Sequence, residues 1–374
     1  MTVNIDKRAI ESSGVTEFYI SAIPQRKAPP AQLAGQLFSA IKDTLNFENA
    51  RILEERVFAA GQVIDILAEA RSRAYHGQGF DDGVAPSFLV GREGASLGPI
   101  AGVQVHALSG DIHTEVISLD GAPRGRILRA PNHTIVTLSC VSAPQLTCPK
   151  EQARVCLEKA ETSLKSCGTN FLSVARTWMW LNDILAWYDD FNSVRSKFFA
   201  ERGMIGEGTR QSMPASTGIG LGATDGSDCA MDLFAVLKPP DSTQYLQAGG
   251  KQQCALEYGS AFSRASRAST PAGHTVFVSG TASINAAGET TNIGDPKGQI
   301  NDTIENVRAV LKDMDVADED VVHIIAYCKT PEIERVFNSI KGKYNWPWII
   351  PICDVCRHDL LFEIEATAVA KRNA

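Results

Sequence analysis

From His133 the chain runs HTIVTLSCVSA, β-branched and alternating, and at His274 it runs HTVFVSGTASI in the same pattern; both read as strands. Behind each comes an amphipathic stretch with proline early in it, Pro149-Lys-Glu-Gln152 and Pro296-Lys-Gly-Gln299, whose apolar residues recur at the helical period. A third matching pair, Phe191–Lys197 and Phe337–Lys343, follows in the same order. The three offsets lie between 141 and 147 residues, so the pattern predicts a duplicated module.

Each copy predicts strand, helix, strand, helix, strand. In the second copy these are His274–Ile284, Gln299–Met314, Val321–Cys328, Glu332–Tyr344 and Leu360–Ala370. In the first, the middle strand is Phe171–Leu181 and the second helix Asp183–Phe199. Asp318-Glu-Asp320 and Pro331 bracket one strand cleanly. The Gly-, Ser- and Thr-rich stretch Arg202–Gly226 reads as a loop, and Lys238-Pro-Pro-Asp-Ser242 as the linker between a domain of residues 1–237 and one of residues 243–374. Upstream, a helix around Gln32–Leu45, helical Ile64–Tyr75 and strand-like Gly102–Ser109 are expected to complete the first domain. The fold class is α+β, with helices on one face of a mixed sheet in each of two tandem domains.

Composition narrows the function. Apolar residues make up 44% and charged residues 21%, the balance of a globular chain, and 374 residues favour two domains. With 36 basic and 43 acidic residues the net charge is −7, which argues against nucleic acid or an anionic membrane as partner. No apolar run approaches the ~18 residues of a membrane span. The opening MTVNIDKRAIESSG has no signal-peptide core, so a cytoplasmic location is expected. Nine cysteines, none before Cys140, read as reduced thiols. Cys353 and Cys356 are spaced like a metal pair, but no second pair accompanies them, and no metal is expected.

The segments VFVSGTASI, QINDTIENVRAVLKDM, VVHIIAYC and FEIEATAVAKR of the second copy resemble the Rid/YjgF superfamily of small trimeric proteins. Imine deaminases of that superfamily carry Pro-Ala-Arg-Ser, whose arginine binds the substrate carboxylate. Here the matching places read Pro347-Trp-Ile-Ile350 and Pro214-Ala-Ser-Thr217, without arginine, which counts against deamination. A narrower set of motifs, Arg176–Arg195, Met213–Gly220, Tyr258–Arg264 and Cys356–Glu363, resembles the chorismatases. That family is built from two YjgF-like domains and removes the enolpyruvyl side chain of chorismate as pyruvate. The resemblance implies two domains packed as a pseudo-oligomer, one competent site near their junction, no cofactor, and a monomer or small homo-oligomer.

Glu363 and Glu365 are two apart on a strand and so share a face. Left to themselves they could be solvated strand carboxylates, but Phe362, Ile364 and Ala366 make their neighbours apolar. The resemblance assigns Glu363 as general acid, protonating the enol ether, and leaves Glu365 a supporting role. A glutamic acid that donates near neutral pH needs burial or nearby anions to keep its proton. Tyr188 and Arg195 are seven apart, two turns along one helix face. Chorismate carries two carboxylates, and Arg195 and Arg264 are assigned to them, with Tyr258 and the Ser260–Arg264 segment lining the pocket. Lys341 stands at the position of Arg195 in the second copy. Asp189 and Asp190 are expected as solvent charges or partners of Arg195. Arg176, Arg267 and Arg357 stay open between anion contacts and structural roles.

The product rests on Cys356 and Ala265. In the family resembled, alanine at both places accompanies hydrolysis to a dihydroxycyclohexadiene carboxylate, and glycine with cysteine accompanies 3-hydroxybenzoate. The mixture here points to hydroxybenzoate, the 3-isomer first, with 4-hydroxybenzoate alongside. The alternatives are the hydrolytic diol, an imine deaminase, a non-catalytic small-molecule binding module, and a different chorismate reaction such as ring isomerisation.

Overall fold

In a computed structural model, which describes residues 2–12, 14–206, 212–271 and 273–370, the strands fall into three six-stranded sheets rather than two. The first holds β1 (Val3–Ser12), β2 (Val15–Pro24), β3 (Arg51–Ala60), β4 (Ser87–Gly91) and β5 (Ile100–Gly110), with α1 (Pro30–Phe47) and α2 (Ile64–Tyr75) between them in sequence. The second holds β6 (His113–Leu119), β7 (Ala122–Ala130), β8 (His133–Ser142), β9 (Val174–Leu181) and β10 (Ala215–Ile219), with α3 (Pro149–Ser166) and α4 (Ile184–Ala200). The short β11 (Gly222–Ala223) crosses back to pair with β4 of the first sheet, and β12 (Cys229–Lys238) completes the second. The third holds β13 (Gln244–Leu246), β14 (Ala265–Thr270), β15 (Gly273–Ala282), β16 (Val321–Cys328), β17 (Trp348–Ile349) and β18 (Phe362–Ala370), with α5 (Pro296–Asp313) and α6 (Pro331–Asn338). The α+β class and the repeat are as expected. The upstream elements, expected to complete the first domain, form a sheet of their own.

All three sheets share one topology. The orders β1-β2-β5-β3-β4, β7-β8-β12-β9-β10 and β14-β15-β18-β16-β17 superimpose element for element. In each, only the last pair is parallel. Each also carries the same register slip: Ile52 and Glu54 face Ala107 and His106, Val174 and Arg176 face Ala235 and Phe234, Val321 and His323 face Ala368 and Thr367. A shared bulge in a shared place ties the three registers together. Counting from it, Gly102, Ala230 and Glu363 are equivalent, and so are Gln104, Asp232 and Glu365.

Two details differ from the sequence reading. The stretch Arg202–Gly226 contains β10 and β11, and its residues 207–211 lie outside those described. The helix expected over Glu332–Tyr344 stops at Asn338, and Lys341–Lys343 is a separate 3₁₀ turn.

Each module packs its helices on the outer face of its sheet. Leu33, Leu37, Phe38 and Ile41 of α1 meet Ile20, Val57 and Val105; α3 and α5 do the same in their modules. The inner faces meet one another in a common core, with Leu53 and Phe58 from the first module, Ile135 and Trp180 from the second, Phe277 and Tyr327 from the third. Burial on both faces is why these strands read as nearly continuous apolar runs, each large side chain adding about 1.5–3 kcal/mol. The modules contact head to tail: β2 lies on β16 and β17, β8 on β3 and β4, and β14 and β15 on β9 and β10. Such a contact, repeated three times, closes a ring within one chain.

At its centre the ring buries charge. Arg56 bonds Asp232 at 2.9 Å and Glu54 at 2.8 Å and lies 3.6 Å over the Trp178 ring. His106 bonds Glu17 at 2.9 Å and stacks on Tyr19. Burial alone would depress the His106 pKa, but Glu17 and Glu54 outweigh it and raise it to about 9.

Candidate active site

A small cleft opens between the second and third modules. Its second-module wall is Tyr188 and Arg195 from α4 and Ser216 and Gly218 from β10. The third module supplies Tyr258, Ser260, Phe262 and Arg264 from the approach to β14, Gly280 and Ala282 from β15, Cys356 and Arg357, and Glu363 from β18. Of the residues assigned from sequence, Glu363, Cys356, Tyr188, Arg195, Tyr258 and Arg264 are brought together here. Ala265 is not on the wall; it is fully buried in the apolar core of the third module, one residue beyond Arg264.

Local structure explains how α4 delivers its two groups. Trp187 leaves helical geometry at φ −147°, ψ 17°, and its indole N–H donates to the Asn182 carbonyl at 2.9 Å. The helix resumes after this kink, so Tyr188 and Arg195 share a face on its regular part. A Cβ at Gly218 would stand 3.3 Å from the Tyr188 ring. In the third module the corresponding helix ends before Lys341, so that lysine is carried on a turn instead.

Three guanidinium groups face the cleft, and none has a carboxylate partner among the described residues. Arg195, 2% exposed, donates to Asn192 Oδ1 at 2.7 Å and Ser216 Oγ at 3.4 Å, and its Nε has no partner. Burial pulls its pKa below the usual arginine value. Arg264 donates to the Gln253 carbonyl from Nε and Nη2 at 3.1 and 3.0 Å, and to the Tyr258 hydroxyl. Arg357 donates to the Gly288 carbonyl at 2.7 Å and lies 5.8 Å over the Tyr258 ring. Buried cations supplied only with neutral partners are arranged for an anion that arrives from outside. Asp190 pairs with Lys150 at 2.8 Å, not with Arg195.

Glu363 faces these cations. Burial, then the charge of Glu365, pushes its pKa up to about 8, so its carboxyl is protonated at neutral pH. A Cβ at Gly280 would come 2.1 Å from Glu363 Oε1, so the space for the acid depends on glycine there. Burial and then Glu363 push the Cys356 thiol up to about 12, leaving it a neutral thiol. The hydroxyl of Tyr188 is held protonated by its burial.

The remaining candidates lie elsewhere. Arg176 donates to Glu365 at 2.9 Å on the ring's inner side, and Arg267 stands 3.7 Å from Asp315. Arg357, left open from sequence, belongs to the cleft. Phe262 lies in the Ser260–Arg264 segment expected to line the pocket. Ser216 and Gly280 carried no such assignment; the small residues at the ends of β10 and β15 are the available signal. The two positions equivalent to Glu363 carry no acid. A Cβ at Gly102 would press on Ile23 and Ile349 at 3.0 and 3.2 Å, and Ala230 packs in the common core. Among the described residues, no group of three or more His, Cys, Asp or Glu side chains is assembled as a metal site. No helix there is long and apolar enough to cross a membrane.

The chain is similar to several known proteins. Residues 255–370 match the family model described as Endoribonuclease L-PSP. A chorismatase crystal structure aligns at 19% identity and a TM-score of 0.61, over 85% of this chain and 93% of that one. The YjgF gene product of E. coli, at 19% identity and TM-score 0.27, aligns over 34% of this chain and 100% of its own. A putative endoribonuclease of Thermotoga maritima gives 21%, 0.28, 34% and 98% for the same measures. No curated protein sequence matches. The chain has the chorismatase-like fold of tandem YjgF-like domains.

Proposed function

We propose that this cleft is the active site of a chorismatase, which protonates the enol ether of chorismate and releases its side chain as pyruvate. The observation that carries the reading is a buried, protonated Glu363 facing three guanidinium groups that have no acidic partner. The substrate is a dianion, and a dianion in a dry cleft needs fixed cations; Arg195 and Arg264 take its two carboxylates. Arg357 is a third donor on the same wall. Arg195 Nη1 reaches Ser216, the place where the imine deaminases resembled carry their arginine, so the cleft keeps a guanidinium there from a different element.

Glu363 gives its proton to the terminal CH₂ of the enol ether, and the electron pair of that double bond forms the new C–H bond. The cation left on the adjacent carbon is shared with the ether oxygen. Arrival of water at that carbon gives a hemiketal, which breaks to pyruvate and the ring diol, consuming one water. Attack by the neighbouring ring hydroxyl on the carbon bearing the ether breaks that C–O bond and expels pyruvate without water, the hydroxyl proton returning to the Glu363 carboxylate and leaving an epoxide on the ring. One C–O bond of the epoxide then opens onto its oxygen, which takes up a proton, and loss of a ring proton restores aromaticity as hydroxybenzoate. Cys356 borders the acid and occupies space a water would need, which favours the second route and 3-hydroxybenzoate as product, with the 4-isomer alongside. As a neutral thiol it acts by occupancy and as a weak donor, not as a base.

Incubating the purified protein with chorismate, and following pyruvate and aromatic products together, tests the reading. Glu363→Gln should abolish pyruvate release while chorismate still binds. Absence of pyruvate from the wild-type protein, with chorismate bound and recovered intact, would make the cleft a binding module.

A further inference from the structure

The central charge network reaches the acid through one residue. Glu365 follows Glu363 by two positions on β18, on the same face, so their Cα atoms stand about 7 Å apart along the strand. Both oxygens of Glu365 accept hydrogen bonds from the second module: one from Arg176 Nη2 at 2.9 Å, the other from Trp178 Nε1 at 2.8 Å. Accepting on both oxygens, one of them from a guanidinium, is the bonding pattern of a carboxylate anion. The same register position in the other modules is stapled across a junction too: Asp232 to Arg56, and Gln104 to the Ile324 carbonyl. Only at Glu365 does that staple place an anion beside a carboxyl facing the cleft.

We infer that Glu365 is a positioning residue for the acid: a fixed anion, clamped by Arg176 and Trp178, that keeps the neighbouring Glu363 protonated. Its use in catalysis rests on the function proposed above; the protonation itself does not. The other groups around Glu363 are Arg176 from β9, Arg357 and Cys356 from the approach to β18, Cys353 on the same segment, Tyr327 from β16 and Tyr188 from α4. Of these, Arg176 and Arg357 oppose the effect of Glu365, and the others are neutral thiols and phenols; Arg195 of α4 and Arg264, on the facing walls of the cleft, are further cations. Glu365 is therefore the one described anion in that set.

The test is a pH titration of Glu363 with no substrate present, read as the infrared band of its protonated carboxyl and assigned by its disappearance in Glu363→Gln. In the wild-type protein the band should fade around pH 8. In Glu365→Gln it should fade about one to two pH units lower, the size expected of one charge at this separation in a partly screened interior. Glu365→Gln strands the Arg176 cation and can impair folding. The double variant Arg176→Gln with Glu365→Gln removes both charges, and its midpoint should fall between the other two. A midpoint that stays at the wild-type value in the folded variants overturns the inference. Because no chorismate is used, that result leaves the proposed reaction standing, and a failure to turn over chorismate leaves this titration standing.

Discussion

Arg195 and Arg264 stand over one aromatic ring, their guanidinium carbons 5.5 and 5.4 Å from the centroid of Phe262. The first arrives from the second module and the second from the third, so the ring holds the two cations at a set spacing across the junction. Removing either should cost about 2–4 kcal/mol of transition-state binding, or roughly 30- to 1000-fold in kcat/KM for pyruvate release. Lysine should restore little, since a point charge lacks the fork. Near-normal kcat/KM in either alanine variant would remove that arginine from the substrate site.

The acid should leave its mark on pH dependence. Glu363 donates in its protonated form, so kcat/KM should fall as pH rises through about 8. Its folded pKa is raised, so the unfolded chain gives up this proton first, and the native state loses stability between about pH 4.5 and 8. Glu363→Gln cannot titrate there. Its stability relative to wild type should therefore improve by a few kcal/mol from pH 5 to pH 9 in denaturant melts.

Gly280→Ala tests the space made for the acid. A methyl group 2.1 Å from Glu363 Oε1 must move the carboxyl, and a shift of about 1 Å is enough to cost about 100-fold in turnover. Circular dichroism should show the fold retained. Full activity would mean that Glu363 reaches its substrate from another rotamer.

Cys356→Ala should change the product more than the rate. Pyruvate should continue to form while the ring product shifts from hydroxybenzoate to the non-aromatic diol, read by chromatography of the same reaction. An unchanged product ratio would reduce Cys356 to packing.

Breaking the central network should act on stability. Arg56→Met leaves Glu54 and Asp232 buried without their shared cation and should lower unfolding free energy by about 3–5 kcal/mol in urea. A loss under 1 kcal/mol would show that the network is dispensable to folding.

Much of this was legible before the structure. Gln152 and Gln299, part of the repeat, do the same work: each helix glutamine bonds the backbone just before the last strand of its sheet, at Asp228 and Cys229 or at Asp359 and Leu361. In the first module Leu33 occupies that place and packs in the core, so the third copy lacks the polar motif that marks the other two. Arg357 was undecided because its partners, the Gly288 carbonyl and the Tyr258 ring, come from a distant loop and are invisible in its own neighbourhood. Ala265 was misplaced by one strand step: its neighbour Arg264 points to the cleft, and alternation turns Ala265 to the other side.

Three identical subunits arranged in a ring must carry the same residue at every equivalent position, so a change made once is made three times. Joining the modules end to end lifts that restriction. At one position this chain has glutamate at 363, alanine at 230 and glycine at 102; two residues along it has glutamate, aspartate and glutamine. Each junction could drift separately, one towards reactivity and two towards solid packing. The cost is stoichiometric: among the described residues one cleft of this kind serves three modules, where an assembly of identical copies would hold three.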